Sequence, residues 1–324
     1  MLEAAIVGMG RWGRVLVDSV QGRSEAIRFV AGSTGTPANA AEYAAAKGIT
    51  LHQSYEAVLA DPRVQAVVLA SPHSQHAAQV IAAAKAGKHV FVEKPFTLTR
   101  AEADAAVAAV RQAGVTMALG HNRRFLPAAA KLRAMIAAGE LGTLCHIEGN
   151  FTGPGALAYR PGMWRADRTE SPAGGMAGMG IHMVDMFQHL CGPMTEVTVV
   201  SHARGLTNGL DDTTAMLIRF ANGMTGNLTT LAATPRLWRV QVFGTKAWVE
   251  MWGQQKLVVG REGTEHEHIR FDTVDIEKAE LEAFAAAATG GPAYPLSLEE
   301  AVHSSAVFEA IARGADARGW IAVP

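Results

Sequence analysis

The chain has 324 residues, 49% of them hydrophobic and 18% charged, with a formal net charge of −1; this length predicts two domains. The near-neutral balance excludes the basic footprint of nucleic-acid binding and any charge attraction to an anionic membrane, and no apolar run is long enough to span a bilayer. Cys145 and Cys191 read as reduced packing residues, and no basic leader followed by an apolar stretch is visible, so a cytoplasmic protein is expected.

The first third alternates strand and helix. Strand 4–7 runs into Gly8-Met9-Gly10-Arg11-Trp12-Gly13, and a helix follows to residue 21. Three glycines at this spacing, after a strand and before a helix, suit a backbone that holds a pyrophosphate. Gly8 allows the tight turn, Gly10 removes a side chain where phosphates approach, and Gly13 lets the helix pack close to its strand. The helix then aims free N–H groups and its positive end at the phosphates. The alternative is a glycine-rich turn that binds nothing. Strand 27–31, helix 37–47, strand 66–70, helix 75–86, strand 89–92, helix 100–113 and strand 115–119 continue the alternation. Crossover units of this length predict an α/β fold with a doubly wound parallel Rossmann sheet, whose ligands lie at the carboxyl ends of the strands.

After about residue 122 the pattern changes. Helix 127–138 is followed by strands at 145–151, 195–203, 213–220, 223–231, 239–244, 247–251 and 256–260, with Asn222-Gly223 as a hairpin signal. One helix, 181–190, interrupts them, and helices 275–289 and 297–318 close the chain. The reading is a dinucleotide-binding domain over 1–122 and an α+β domain over 123–324 with a largely antiparallel open sheet. One face of that sheet needs a partner, because strands such as Ala215-Met216-Leu217-Ile218 and Val240-Gln241-Val242-Phe243 offer apolar residues to bury. A homodimer or homotetramer built sheet on sheet is expected.

Several residues at strand ends can carry chemistry. Lys94 follows strand 89–92, where an ammonium can hydrogen-bond a substrate hydroxyl and favour the alkoxide that develops as hydride leaves. A surface lysine in a turn is the plainer reading. His182 follows Gly180 and opens an apolar helix, with Asp185 three residues on and nearly on the same face. A histidine titrating near neutrality is the natural acceptor for the proton released when an alcohol becomes a carbonyl; a core histidine is the alternative. His121-Asn122-Arg123-Arg124-Phe125 lies at the end of strand 115–119, with Asn122 and Arg123 as plausible substrate contacts and Arg124-Phe125 as packing. The segment Tyr159 to Arg168 holds Arg160, Trp164, Arg165 and Arg168. It can bind a carboxylate and stack on a ring, or form salt bridges at a subunit contact; the two readings stay even. His266 and His268 share a strand face without a third ligand, so no metal is expected.

Four stretches together resemble the glucose–fructose oxidoreductase/inositol dehydrogenase/rhizopine catabolism (Gfo/Idh/MocA) family. They are the loop at residues 8–13, Gly87-Lys88-His89-Val90-Phe91-Val92-Glu93-Lys94-Pro95, Arg124-Phe125, and Gly174-Gly175 leading to Gly180-Ile181-His182-Met183-Val184-Asp185. The resemblance covers essentially the whole chain. It implies an NAD(P)-dependent oxidoreductase acting on a secondary alcohol of a sugar, polyol or cyclic diol. Within it, Lys94 lies near nicotinamide and substrate and His182 is the general acid/base. Glu93, Ser71, Pro72 and His73 would border the cofactor, with Gly8, Gly10, Arg11, Trp12 and Gly13 at its phosphates. The chain departs from many relatives at Gly178, where an Asp orients the imidazole or touches substrate. That glycine puts a typical polyol in doubt and leaves His182 to another group, such as Asp185. Some relatives bind dinucleotide as co-regulators without turnover, which is the second reading.

The cofactor's identity turns on strand two, which ends Ser33-Thr34-Gly35-Thr36 with no acid to hold both ribose hydroxyls. Ser33 and Thr34 can accommodate a 2′-phosphate and Arg11 can supply positive charge, so NADP is expected, with NAD possible.

Overall fold

The computed structural model describes residues 1–324, which fold as two compact units. The first takes Met1–Thr97, Ala101–Asn122 and Asp275–Val302; the second takes Leu98–Arg100, Arg123–Val274 and His303–Pro324.

The first unit begins with β1 (Leu2–Val7), α1 (Arg11–Val20), β2 (Ile27–Ser33), α2 (Pro37–Ala46), β3 (Thr50–Leu51) and α3 (Tyr55–Ala60). It continues with β4 (Ala66–Leu69), α4 (His76–Lys85), β5 (His89–Glu93), α5 (Arg100–Ala113) and β6 (Met117–Gly120). Its strands form a parallel sheet in the order β3-β2-β1-β4-β5-β6. Every residue of β4 and of β6 is buried. Continuous apolar runs of this kind are what a parallel sheet covered on both faces requires. β3 is two residues long, too short to leave a pattern, and α3 starts at Ser54, whose hydroxyl accepts from the Ala57 N–H at 3.2 Å.

The second unit carries α6 (Pro127–Ala137), β7 (Leu144–Thr152), α7 (Ile181–Cys191), β8 (Met194–His202), β9 (Thr213–Phe220) and β10 (Thr225–Leu231). β11 (Leu237–Gly244), β12 (Trp248–Trp252), β13 (Lys256–Gly260) and β14 (Glu267–Arg270) follow. The chain ends with α8 (Ile276–Ala288), α9 (Leu298–Asp316) and β15 (Ile321–Ala322). The nine strands from β7 to β15 run β14-β13-β12-β11-β7-β10-β9-β8-β15, antiparallel throughout except for the β7–β10 pair. β9 alternates buried and less buried residues along its length, the signature of one covered face. On that covered face Met183 and Phe187 of α7 press against Gly149 of β7, where a Cβ would stand 2.7 Å from both side chains.

One boundary differs from expectation. Residues 123–324 do not stay together, because Asp275–Val302, containing α8, returns to the first unit. The physical reason is the apolar stripe of α8: Leu281, Phe284 and Ala285 are fully buried in the core beneath the parallel sheet. Phe284 packs edge-on against Phe91 of β5, ring centres 5.8 Å apart. No helix is long and apolar enough to cross a membrane.

Candidate active site

In the first unit, the loop between β1 and α1 is shaped by what its glycines lack. Gly8 has φ +95°, and a Cβ there would stand 2.5 Å from the Ala70 carbonyl oxygen. A Cβ on Gly13 would collide with the Gly8 carbonyl, so α1 can pass this close only with glycine. Around Gly10, by contrast, nothing lies within 4 Å of a Cβ position. Gly10 is also the N-cap of α1 and offers no side-chain acceptor, leaving the first-turn N–H groups to an outside partner. A close-packed helix, an uncapped N-terminus and open space above Gly10 fit a dinucleotide pyrophosphate.

Neighbouring side chains frame that loop. The Gly8 N–H donates to the Ser33 carbonyl at 2.8 Å, tying the end of β2 to the loop. Ser33 is buried, Thr34 half-buried, and Arg11 exposed. Arg14, which the sequence did not single out, donates to the carbonyls of Met9 (3.3 Å) and Asn39 (2.6 Å) and lies 4.8 Å over the Tyr43 ring. After β4, the Ser71 hydroxyl donates to Gln79 Oε1 at 2.5 Å. Pro72 is half-buried and His73 buried. The His76 ring, fully buried, bridges the Ser71 carbonyl (3.2 Å) and the Pro95 carbonyl (2.9 Å), joining the ends of β4 and β5. The Lys94–Pro95 peptide bond is cis.

At the end of β5, Glu93 is 5% exposed and its Oε2 accepts from the Lys94 backbone N–H at 3.2 Å. Its Oε1 would stand 3.0 Å from a Cβ at Gly120, so β6 needs glycine beside it. The Trp12 indole N–H approaches the carboxyl without reaching good hydrogen-bond geometry. Burial raises the pKa of Glu93 above the ordinary carboxylate range, nearby Glu277 adds to this, and the Lys94 ammonium opposes it. Lys94 itself is half-buried. Asn122, expected to touch substrate, is 3% exposed and donates through Nδ2 to Glu277 Oε1 of α8 at 3.0 Å.

In the second unit, α7 carries His182 (5% exposed) and Asp185 (2%). The carboxylate of Asp185 is gripped by Arg124: Nε donates to both oxygens at 2.9 and 3.1 Å, and Nη2 reaches one at 2.8 Å. Asp185 is the group the sequence offers to hold His182, and Arg124 reads there as a packing residue. The pairing meets the demand that a carboxylate buried this deeply be neutralised. His182 faces Phe151 of β7, ring centres 6.0 Å apart. Arg123 lies 4.7 Å over Phe151 and equally 4.7 Å over Trp238 of β11. Neither Phe151 nor Trp238 was picked out from the sequence. The available signal was parity: Trp238 shares the inward face of β11 with Val240 and Val242.

The Gly174-Gly175 segment leads into a single π-helical turn, Met176–Gly180, directly before α7. Such turns concentrate at functional sites. Just ahead of it Ala173 takes φ 51°, rare for a residue with a side chain, and its carbonyl accepts from the buried Thr214 hydroxyl at 3.0 Å. Gly178 is exposed, and a Cβ there would meet nothing within 4 Å. In the arginine-rich loop Arg160 is exposed, Arg165 stacks 4.0 Å over half-buried Trp164, and Arg168 pairs with Asp316 at 2.5 Å. His266 packs edge-on against Trp248, centres 4.9 Å apart.

Comparison with known proteins follows the same two-part division. Residues 2–121 match the model of an oxidoreductase family with an NAD-binding Rossmann fold, and residues 129–250 match a GFO/IDH/MocA C-terminal domain. The chain is 33% identical over 260 residues to scyllo-inositol 2-dehydrogenase (NAD(+)) of Bacillus subtilis, covering 76% of this chain and 72% of that one. It is 29% identical over 216 residues to trans-1,2-dihydrobenzene-1,2-diol dehydrogenase of Bos taurus, covering 65% and 63%. Among solved structures, levoglucosan dehydrogenase in complex with NADH and L-sorbose superimposes with a TM-score of 0.89 at 22% identity, covering 100% of this chain and 99% of that one. An NAD binding oxidoreductase from Klebsiella pneumoniae gives 0.87 at 23%, covering 100% and 99%.

Proposed function

We propose a function from one premise: the chain belongs to the Gfo/Idh/MocA family of nicotinamide-dependent oxidoreductases. It is a dehydrogenase or reductase, and it acts on sugar or polyol alcohols. Our finer reading is that it oxidises a ring-bound secondary alcohol, or reduces the matching carbonyl, with a cyclic diol among the candidate substrates. The observation that carries the nicotinamide-dependent chemistry is the loop around Gly8, Gly10 and Gly13, which leaves an uncapped helix start and open space for the pyrophosphate.

In this reading Gly8, Gly10, Arg11, Trp12 and Gly13 hold the phosphates, Ser33 and Thr34 the adenosine ribose, and Ser71, Pro72, His73 and Glu93 the nicotinamide side. The bound nicotinamide supplies a hydride acceptor at its C4. Lys94 donates a hydrogen bond to the substrate oxygen and stabilises the negative charge that grows there as the C–H bond breaks. His182 takes the hydroxyl proton at an imidazole nitrogen and returns it in the reverse direction. Arg124 grips the Asp185 carboxylate, and in this reading the pair holds the helix that presents His182. Arg123 remains the substrate-side cation, fixed by stacking on two aromatic rings. Arg160 and Trp164 are secondary candidates, on an exposed loop whose Arg168 is already paired with Asp316.

The test is substrate-dependent appearance of reduced nicotinamide over a panel of sugars, inositols and cyclic diols. Lys94→Ala and His182→Ala each lower kcat by roughly 10²–10⁴-fold with native folding retained. Unchanged turnover in either variant refutes its assigned role. For the cofactor we infer a preference for NADP, because no acid follows β2 and the exposed Arg11 can meet a 2′-phosphate. A lower KM for NAD⁺ than for NADP⁺ overturns that inference.

We also infer a homodimer or homotetramer. Val200 of β8 and Leu217 of β9 are 59% and 52% exposed on the nine-stranded sheet, large apolar side chains that a second copy of the sheet would cover. Sedimentation shows an assembly that Leu217→Glu breaks; a wild-type monomer at micromolar concentration refutes it.

A further inference from the structure

Trp238 holds a buried donor that the protein itself does not use. The residue is 7% exposed, and its indole Nε1–H meets no acceptor within the chain. A buried donor left without a partner costs roughly 1–3 kcal/mol, so native structures rarely keep one without a function.

Its surroundings show what kind of partner is missing. Trp238 stands directly opposite Phe151 in the β11–β7 register, and the two rings meet edge to face at 5.1 Å. Phe151 in turn meets the ring of His182. The Arg123 guanidinium covers both aromatic rings and fixes the faces they present. The π-helical turn that leads to His182 adds only Met176, Ala177, Met179 and glycines. This wall is apolar and aromatic, and its unused polar atom is a neutral donor with no acceptor capacity. It suits a ring compound whose C–H face lies on aromatic carbon and whose rim offers an oxygen lone pair.

We propose that Trp238 is a substrate-contacting specificity residue: its indole N–H donates to a hydroxyl or ether oxygen of a cyclic polyol or diol, whose ring lies against Phe151. This rests on reading the chain as an alcohol dehydrogenase that works through His182. Selection comes from the asymmetry of hydrogen bonding. A correct substrate satisfies the donor, whereas an analogue without that oxygen leaves the donor stranded again.

The experiment uses W238F and a second variant with benzothienylalanine at 238, which keeps the bicyclic shape and lacks the N–H. With the best substrate of the panel, both variants lose ~10-fold in kcat/KM, mainly through KM, while the KM for the dinucleotide stays unchanged. Among monodeoxy analogues of that substrate, one costs the wild type a similar factor and costs the variants nothing further. If both variants stay within about twofold of wild type, or if the losses simply add for every analogue, the proposal is overturned. A readout independent of turnover separates this inference from the functional reading. With ¹⁵N-labelled indole and the dinucleotide present, the resonance missing from W238F moves on adding the panel compound that binds. If no compound is turned over, the functional reading falls. The Trp238 inference then stands on a shifted resonance and falls if no compound moves it.

Discussion

The Arg124–Asp185 pair offers the sharpest test of how the His182 helix is held. Both side chains are 2% exposed; Arg124 Nε donates to both Asp185 oxygens at 2.9 and 3.1 Å, and Nη2 stands 2.8 Å from one of them as an ion-pair contact. Asp185 lies one helical turn after His182, so this pair anchors the segment after β6 to the face of α7 that carries the histidine. Asp185→Ala leaves a guanidinium buried with its main counter-charge gone. Each charge-assisted bond is worth about 1.5–3 kcal/mol, but desolvation of two ions offsets much of the sum. The loss expected on removing one partner is therefore about 3–5 kcal/mol, set by the stranded charge and not by a sum over bonds. Arg124→Ala loses a similar amount, and the double variant loses much less than the two combined, because the second deletion removes a charge that is already stranded. Replacing both by apolar residues, Arg124→Met with Asp185→Leu, restores stability to within about 1–2 kcal/mol of wild type. Urea unfolding followed by far-UV circular dichroism measures all four. Because the chain holds two units, the transition is fitted only after coincidence of two probes has been checked. A loss under about 1 kcal/mol for Asp185→Ala, or strict additivity in the double variant, refutes the assignment of a structural ion pair.

Other outcomes follow from the same coordinates. Asp212 takes N–H bonds from Arg204, Gly205 and Leu206 at 2.8, 2.6 and 2.8 Å, and these bonds outweigh burial to lower its pKa; Asp212→Ala costs about 2–3 kcal/mol, read by thermal melting, whereas intact stability would show the 204–212 loop to be held otherwise. Cys145 is exposed while burial pushes the Cys191 thiol up to about 12, so a thiol reagent titrates one group in the native protein and two after denaturation, and two fast-reacting thiols would contradict the fold around α7. Glu93 is raised above the usual carboxylate range, so the native state holds its proton more tightly than the unfolded chain does. Its contribution to stability is complete below about pH 4.3 and is lost as the pH climbs through the folded value. Glu93→Gln does not titrate, so its stability relative to wild type improves as the pH rises above the ordinary carboxylate range; a difference constant with pH disproves the shift.

The parts of this protein that were legible in advance are those written locally. β1, the glycine loop and α1 are contiguous, and each glycine's role depends on neighbours a few residues away, apart from Ala70 beneath Gly8. Strand alternation in β9 and the apolar run of β4 are likewise visible in single windows. What escaped was set by distant pairing. The central position of β7, parallel to β10 and antiparallel to β11, follows from no local period. Nor does the return of α8 to the first core, which depends on Phe284 finding Phe91. The π-helical turn was hidden for another reason: glycine and methionine at 174–180 read as a loop, since glycine costs a helix about 1 kcal/mol per residue.

The candidate site shows the same division with a chemical consequence. Lys94 and His182 stand out because a charged or titratable residue directly after an apolar strand, or at the head of an apolar helix, has little structural reason to be there. Asp185 stands out by the same criterion, and the fold adds what no local window shows, a buried pairing of its carboxylate with Arg124. Trp238 shows the converse. An indole on the inward face of a strand reads as core, and its packing against Phe151 is core-like. It becomes chemically interesting through one atom, because burial makes an unused N–H expensive and the register sets that atom beside the ring that faces His182. Substrate selection in this chain is best sought at Trp238, Phe151 and the open position at Gly178 before the acids.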